Sequence, residues 1–139
     1  SLGRSVERLM ALASALASFL HPNAPEGALD LALEYGDSTI SHRRRYAFMA
    51  SRLSVIELLA LDPLNPRSLI FHLDELKAQV GALPGATENG HPSEVYAQTL
   101  RIHTNFRTMK AEAIDTNSLL DFRAQIATLS DALGQAYMS

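Results

Sequence analysis

Apolar residues recur along this chain at three- and four-residue steps, the period of helices with one buried face. Val6, Leu9, Ala13, Leu16 and Leu20 share a face of a first helix that starts near Gly3. Leu29, Leu33 and Ile40 do the same for a second, from about Glu26 to Ala47. Ser51 is placed to cap a third, which carries Leu53, Ile56, Leu59 and Ala60. A fourth runs from Pro66 to about Leu83 on Leu69, Leu73, Leu76, Val80 and Leu83. A fifth, from about Ser93 to Ala113, aligns Val95, Thr99, Ile102, Phe106 and Met109. The sixth starts at Asp115 or Thr116 and has the cleanest stripe: Leu119, Phe122, Ile126, Leu129, Leu133 and Tyr137. There is no strand-like alternation and no tandem repeat. About six helices with short connections predict an all-α antiparallel bundle without β-sheet, a single domain over residues 1–139.

The connections carry their own signals. Residues 21–27 hold two prolines and a glycine and read as a loop. Pro84 to Pro92 is a second loop, containing Asn89-Gly90, and is the segment expected to move most. Between the third and fourth helices, Leu58 to Phe71 reads as a helix end, a hinge and a new helix start. Pro63 ends the first helix and forces Asp62 into extended backbone. Asn65 then suits an N-cap and Pro66 the first helical position. Arg67 would fall in the first turn, where the helix dipole disfavours a cation, so a partner is expected, Asp62 being nearest.

The second helix changes character halfway. From Gly36 to Arg45 only Ile40 is apolar, although a core-facing helix should keep an apolar stripe. Helical spacing gathers Glu34, Asp37, Ser38, Ser41 and Arg45, while Arg43 and Arg44 point elsewhere. The plainer reading is a solvated face with ion pairs between successive turns. The sharper one is an internal cluster in which Asp37 and Arg45 join Arg4, Glu7, Asp62 and Arg67. Such a cluster could fix helix docking, or grip a carboxylate-bearing ligand through its arginines. Arg4, Glu7 and Arg8 lie within about one turn, and a surface ladder is their plainest reading.

Composition narrows the classes. With 47% hydrophobic and 19% charged residues the chain folds rather than staying disordered. A net charge of −3 argues against a broad nucleic-acid surface, and Arg43-Arg44-Arg45 alone does not reverse that. The absence of cysteine excludes disulfides, thiolate metal sites and a cysteine nucleophile, and fits a reducing, cytoplasmic setting. No run reaches the length of a membrane span. Leu9 to Leu20, preceded by Arg4 and Arg8, imitates a secretory signal, but Glu7 spoils its basic flank and His21-Pro22-Asn23 is a poor cleavage site. His72 and Glu75 have the spacing of half a carboxylate-bridged metal site, yet the motif occurs once, so no metal is expected. No phosphate loop or nucleophile elbow is present, and no cofactor is implied.

Three pieces of the chain resemble one family. They are Gly3-Arg4-Ser5-Val6-Glu7-Arg8, Asp37-Ser38-Thr39-Ile40-Ser41-His42-Arg43-Arg44-Arg45-Tyr46, and Leu58-Leu59-Ala60-Leu61-Asp62-Pro63-Leu64-Asn65-Pro66-Arg67-Ser68. In this order they resemble motifs of the Alpha-E family, bacterial all-helical proteins. The resemblance covers residues 3 to about 84. It implies a further helical half upstream, so the chain reads as the second half of the family domain, a fragment or shortened form. It also implies the company of circularly permuted ATP-grasp proteins and transglutaminase-like proteins, and hence a part in peptide synthesis or tagging.

Two functions follow as expectations. The first is a non-catalytic module binding a partner enzyme, or a peptide or amino acid, through Arg4, Glu7, Asp37, Arg45, Asp62 and Arg67. Arg45 and Arg67 would hold carboxylate, and Glu7 and Asp37 an amine. The second is an enzyme, or half of one, in amide-bond chemistry with Glu7 or Asp37 as general base. A bundle that only forms a homodimer is the blander alternative.

Overall fold

The computed structural model describes residues 1–21 and 52–137. The expected second helix, with Asp37 and Arg45, lies outside the described residues, as does the cap expected at Ser51. The other five expected helices are present and the all-α class holds. Helix α1 spans Leu2–Leu20, and its N-cap Ser1 accepts the Arg4 N–H. Helix α2, Arg52–Ile56, runs into a π-helical turn at Glu57–Leu61. Helix α3 spans Leu69–Gly81, α4 Glu94–Arg107 and α5 Thr116–Tyr137.

The hinge differs from the expectation in which residue caps the fourth helix. Asn65 is not the N-cap and Pro66 is not the first helical residue. Ser68 caps α3, its hydroxyl accepting the Phe71 N–H at 3.2 Å and donating to the Asp62 carbonyl. Asn65 uses its side chain on the turn itself. It accepts the Arg67 N–H at 3.0 Å and donates to the Leu58 carbonyl at 2.9 Å. Asp62 is extended, as Pro63 requires, and its carboxylate accepts the Leu64 N–H. Two residues could cap the helix, and the fully buried Ser68 does so because it can satisfy both helix and hinge. Arg67 therefore sits before the cap rather than within the first turn.

The second departure is small. The loop after α3 carries a two-stranded antiparallel hairpin, β1 (Thr87–Glu88) with β2 (His91–Pro92), against the expectation of no sheet. Asn89 and Gly90 both have positive φ, 52° and 79°, the left-handed pair that closes a two-residue hairpin. Two-residue strands are too short to show alternation in sequence. The loop is fastened at both ends: Ser93 N–H donates to the Ala86 carbonyl at 2.7 Å, and the Tyr137 hydroxyl to the Pro84 carbonyl. At the entry to this loop, a Cβ on Gly81 would meet the Tyr96 hydroxyl at 2.9 Å, so glycine permits the close approach of α3 and α4.

Helix α4 stops at Arg107, short of the expected Ala113. Thr108 turns its hydroxyl back to the Thr104 carbonyl, and a short 3-10 turn at Ala111–Ala113 brings Ile114 into the core. Asp115 and Ser118 then start α5 reciprocally, each side chain accepting the other's backbone N–H at 2.8 Å.

Helix α1 lies against α5 most extensively and against α3 next, with α4 completing the bundle against α3 and α5. Leu9, Leu73, Leu76, Leu119, Ile126 and Leu129 are fully buried where these faces meet. Phe106 and Phe122 pack at a ring separation of 4.9 Å between α4 and α5. Polar ties cross three helix pairs among the described residues: Ser5 to Gln79, Thr116 to the Ala17 carbonyl, and both His103 and Arg107 to Asp74. No helix among the described residues is long and apolar enough to cross a membrane.

Removing the double-duty hydroxyl should be costly. Ser68→Ala should lose about 1–2 kcal/mol in urea unfolding, the range of a lost N-cap. Leu64→Ser, at a side chain 87% exposed on the same hinge, should change stability by less than about 0.5 kcal/mol. Equal effects from the two variants would show that the hinge is not held as described.

Candidate functional site

Four of the six residues expected to form an internal cluster are among the described ones. Arg4 and Glu7 are exposed on α1, Asp62 is half-buried with its carboxylate on the hinge backbone, and Arg67 is exposed at the hinge end. Asp37 and Arg45 lie outside the described residues. Among the described residues no ion pair joins Arg4, Glu7 and Arg8, so the expected surface ladder is not formed.

What the fold does bring together is a different set. A cleft of about 480 Å³ opens between α1 and the start of α3. Arg8, Ala11 and Leu12 line it from α1, Pro66 and Arg67 from the hinge, and His72 from α3. Helical spacing explains the α1 side, since positions three and four apart share a face and the small Ala11 leaves room between them. The hinge explains the other side. Capping at Ser68 puts His72 one turn into α3 and holds Arg67 just before the helix, at the end where its dipole is positive. Arg67 thus comes from the hinge motif and Arg8 from the first motif, 59 positions apart in sequence (67 − 8).

His72 is the cleft's one buried titratable group among the described residues, 6% exposed. Its Nδ1 is closed off from solvent and has no hydrogen-bond partner among the described residues. Among the described residues, the carboxylate paired with it is Glu75, whose Oε2 stands 3.9 Å away, beyond hydrogen-bond reach. Burial lowers the His72 pKa from 6.5, and the Arg8 guanidinium lowers it further. Glu75 and the Pro66 backbone oppose that shift without cancelling it. The ring is therefore neutral at pH 7, beside two permanent cations. Two guanidiniums and an imidazole suit an anionic oxygen ligand, a carboxylate above all, because guanidinium geometry matches it in two-point contact.

Sequence reasoning named Arg67 but passed over Arg8 and His72 as site residues. Arg8 was legible as the last residue of the first motif. In the sequence His72 reads only as half a metal motif with Glu75, and among the described residues no group of three or more metal-ligating side chains could hold an ion. A second hollow, of about 430 Å³ between α4 and α5, is lined by Gln98, Arg101, Asn105, Gln125 and Thr128 with Ile102 and Ala124, without a buried titratable group. Asp74 holds both His103, at 2.6 Å, and Arg107, at 3.5 Å, and this cluster clamps α3 to α4.

The lowered His72 pKa has a stability consequence of definite sign. Folding favours the neutral ring, so the stabilisation is complete above pH 6.5 and is lost as pH falls through the lower folded-state value. Thermal unfolding midpoints should therefore fall on acidification from about pH 7.5 to about pH 5, and His72→Gln should remove part of that fall. An unchanged pH slope in the variant would show that the ring is not held neutral by the fold.

The comparisons with known proteins agree with the motifs. Uncharacterized proteins of Mycobacterium tuberculosis, strain H37Rv, and of Mycobacterium bovis are each 31% identical to this chain over 132 residues. The aligned part is 92% of this chain and 15% of either relative, so the chain spans about 15% of the length of the curated relatives it matches. No solved structure matches the chain. The model of the Alpha-E family, described as a predicted alpha-helical domain with a conserved ER motif, matches residues 1–138. Glu7-Arg8 is the one Glu-Arg dipeptide in the sequence, so the arginine of that motif is the cation on the α1 side of the cleft. This chain belongs to the Alpha-E family.

Proposed function

We propose that this chain is a non-catalytic helical module that binds a peptide or amino-acid carboxylate in the cleft between α1 and α3. The observation that carries this reading is the meeting of Arg8 and Arg67, from two separate motifs, over the buried His72. The cleft's volume suits a ligand of dipeptide size. Among the described residues lining it, none is a hydroxyl, thiol or carboxylate that could serve as nucleophile or carboxylate base. Glu7, the candidate base from sequence, is exposed on α1 and does not line the cleft. That favours binding over turnover.

The wider setting is read from the family resemblance. A module that presents a peptide end would serve an ATP-grasp-type enzyme, which forms amide bonds, or a transglutaminase-like partner, which exchanges them. A cytoplasmic location fits that chemistry. Homodimerisation is not needed for the cleft as it stands.

The test is calorimetric titration with N-acetyl-dialanine as the free acid and as its C-terminal amide. The acid should bind at least about ten-fold tighter than the amide, since the amide offers no charge to the guanidiniums, and ten-fold is 1.4 kcal/mol. Arg8→Met and Arg67→Met should each weaken binding of the acid by about ten-fold or more. Equal binding of acid and amide, or no binding of either, would overturn the reading.

A further inference from the structure

The cleft holds its one buried titratable ring in a state that a bound anion would reverse. His72 faces charged or polar groups from each described element around it. Arg8 comes from α1, Arg67 and the Pro66 carbonyl from the hinge, and Glu75 from its own helix. Asp74, the next acid on α3, is engaged on the other side with His103 and Arg107 of α4. Burial, and after it the Arg8 guanidinium, oppose a positive charge on the ring. Glu75 is close enough to favour that charge but too far to form a hydrogen bond in the structure as it stands.

We propose that the cleft takes up its carboxylate ligand and a proton together, the proton residing on His72. The inference rests on the binding reading given above. A carboxylate held by Arg8 and Arg67 cancels part of the positive field at the ring. The imidazolium then forms against two acids, the ligand on one side and Glu75 on the other. Both ring nitrogens become donors, and Nδ1, which has no partner among the described residues, gains the Glu75 carboxylate as acceptor. Because linkage is reciprocal, a ligand that favours the proton is itself bound more tightly where the proton is available. The site would then hold a peptide end firmly in mildly acidic conditions and release it as the pH rises. Neutral ligands, and anions too large to reach between the guanidiniums, would lack the coupling.

The experiment titrates the chain with N-acetyl-dialanine free acid at about pH 5.5 and about pH 7.5, a range over which a peptide carboxylate with pKa near 3.5 keeps its charge. Binding should be three- to ten-fold tighter at the lower pH. The imidazole signals of His72, followed by nuclear magnetic resonance, should titrate at a higher pH with ligand than without. His72→Gln should keep binding but lose the pH dependence, and Glu75→Gln should reduce it. Arg4→Gln, outside the cleft, should leave both affinity and slope unchanged. Binding that is equally tight at both pH values, or a His72 titration that ligand does not move, would overturn the coupling while leaving the carboxylate site intact. Absence of binding at either pH would instead remove the site itself, and the coupling with it.

Discussion

The Ser68 hydroxyl serves two segments at once. It accepts the N–H of Phe71, which starts α3, and donates to the carbonyl of Asp62, which ends the preceding helix. Around it, the Asp62 and Asn65 side chains take up the N–H groups of Leu64 and Arg67, and Asn65 also reaches the Leu58 carbonyl. A turn between two prolines has few backbone donors of its own, so these side chains supply what the helix ladder cannot. The result is a hinge fixed at both ends. The direction of α3, and with it the position of His72 and Arg67 relative to α1, follows from that hinge. The π-turn just before it advances the chain by one extra residue, which sets the direction in which Asp62 leaves the helix.

Among the described residues lining the cleft, the charged side chains are Arg8 and Arg67. Arg8 and Arg67 add positive charge at the end of α3 where the helix dipole is already positive. Solvent screens this cost, because both side chains are exposed. The buried His72 ring stays neutral, chiefly because burial disfavours its charge and secondarily because of Arg8. A carboxylate entering the cleft would be favoured by all three features together.

Much of the fold could be read from the residues, because three- and four-residue periodicity survives wherever a helix has one buried face. The stripes of Val6 to Leu20, Leu69 to Val80 and Leu119 to Leu133 are buried as expected, whereas Leu53 and Tyr137, expected on such stripes, are exposed. The failures have local causes. Asn65 and Ser68 are both good caps three residues apart, and only the reach of the Ser68 hydroxyl to Asp62 decides between them. The Asn89-Gly90 hairpin was signalled by its turn but not by its strands, which are two residues each. The early end of α4 at Arg107 leaves no mark in the periodicity, since Met109 continues the apolar spacing. The site was legible in part. Motif matching pointed to α1 and the hinge, yet it selected Arg4 and Glu7, which are exposed outside the cleft, over Arg8, which lines it. Sequence spacing gives the neighbours along one helix, but which face meets the hinge depends on how α1 packs on α3.

His103 and His72 show what distinguishes the cleft from the rest of the bundle. Both are buried histidines on neighbouring helices. His103 is paired with Asp74 at 2.6 Å, and Arg107 pairs with the other oxygen of the same carboxylate. Such clusters fix how two helices dock, and every group in this one is accounted for. His72 is as well buried, but its carboxylate neighbour stands off at 3.9 Å and its Nδ1 is unsatisfied among the described residues. An orphaned buried polar atom costs about 1–3 kcal/mol, and Glu75, an acceptor, could relieve it only with a proton on Nδ1. The fold elsewhere supplies such partners: Ser5 has Gln79 and Thr116 has the Ala17 carbonyl. A local departure from that rule, placed between two arginines at the mouth of a cleft, is what a site kept ready for a ligand looks like. The same imidazole thus stands in two settings, paired where the acid is close and without a partner at Nδ1 among the described residues where the acid is held away.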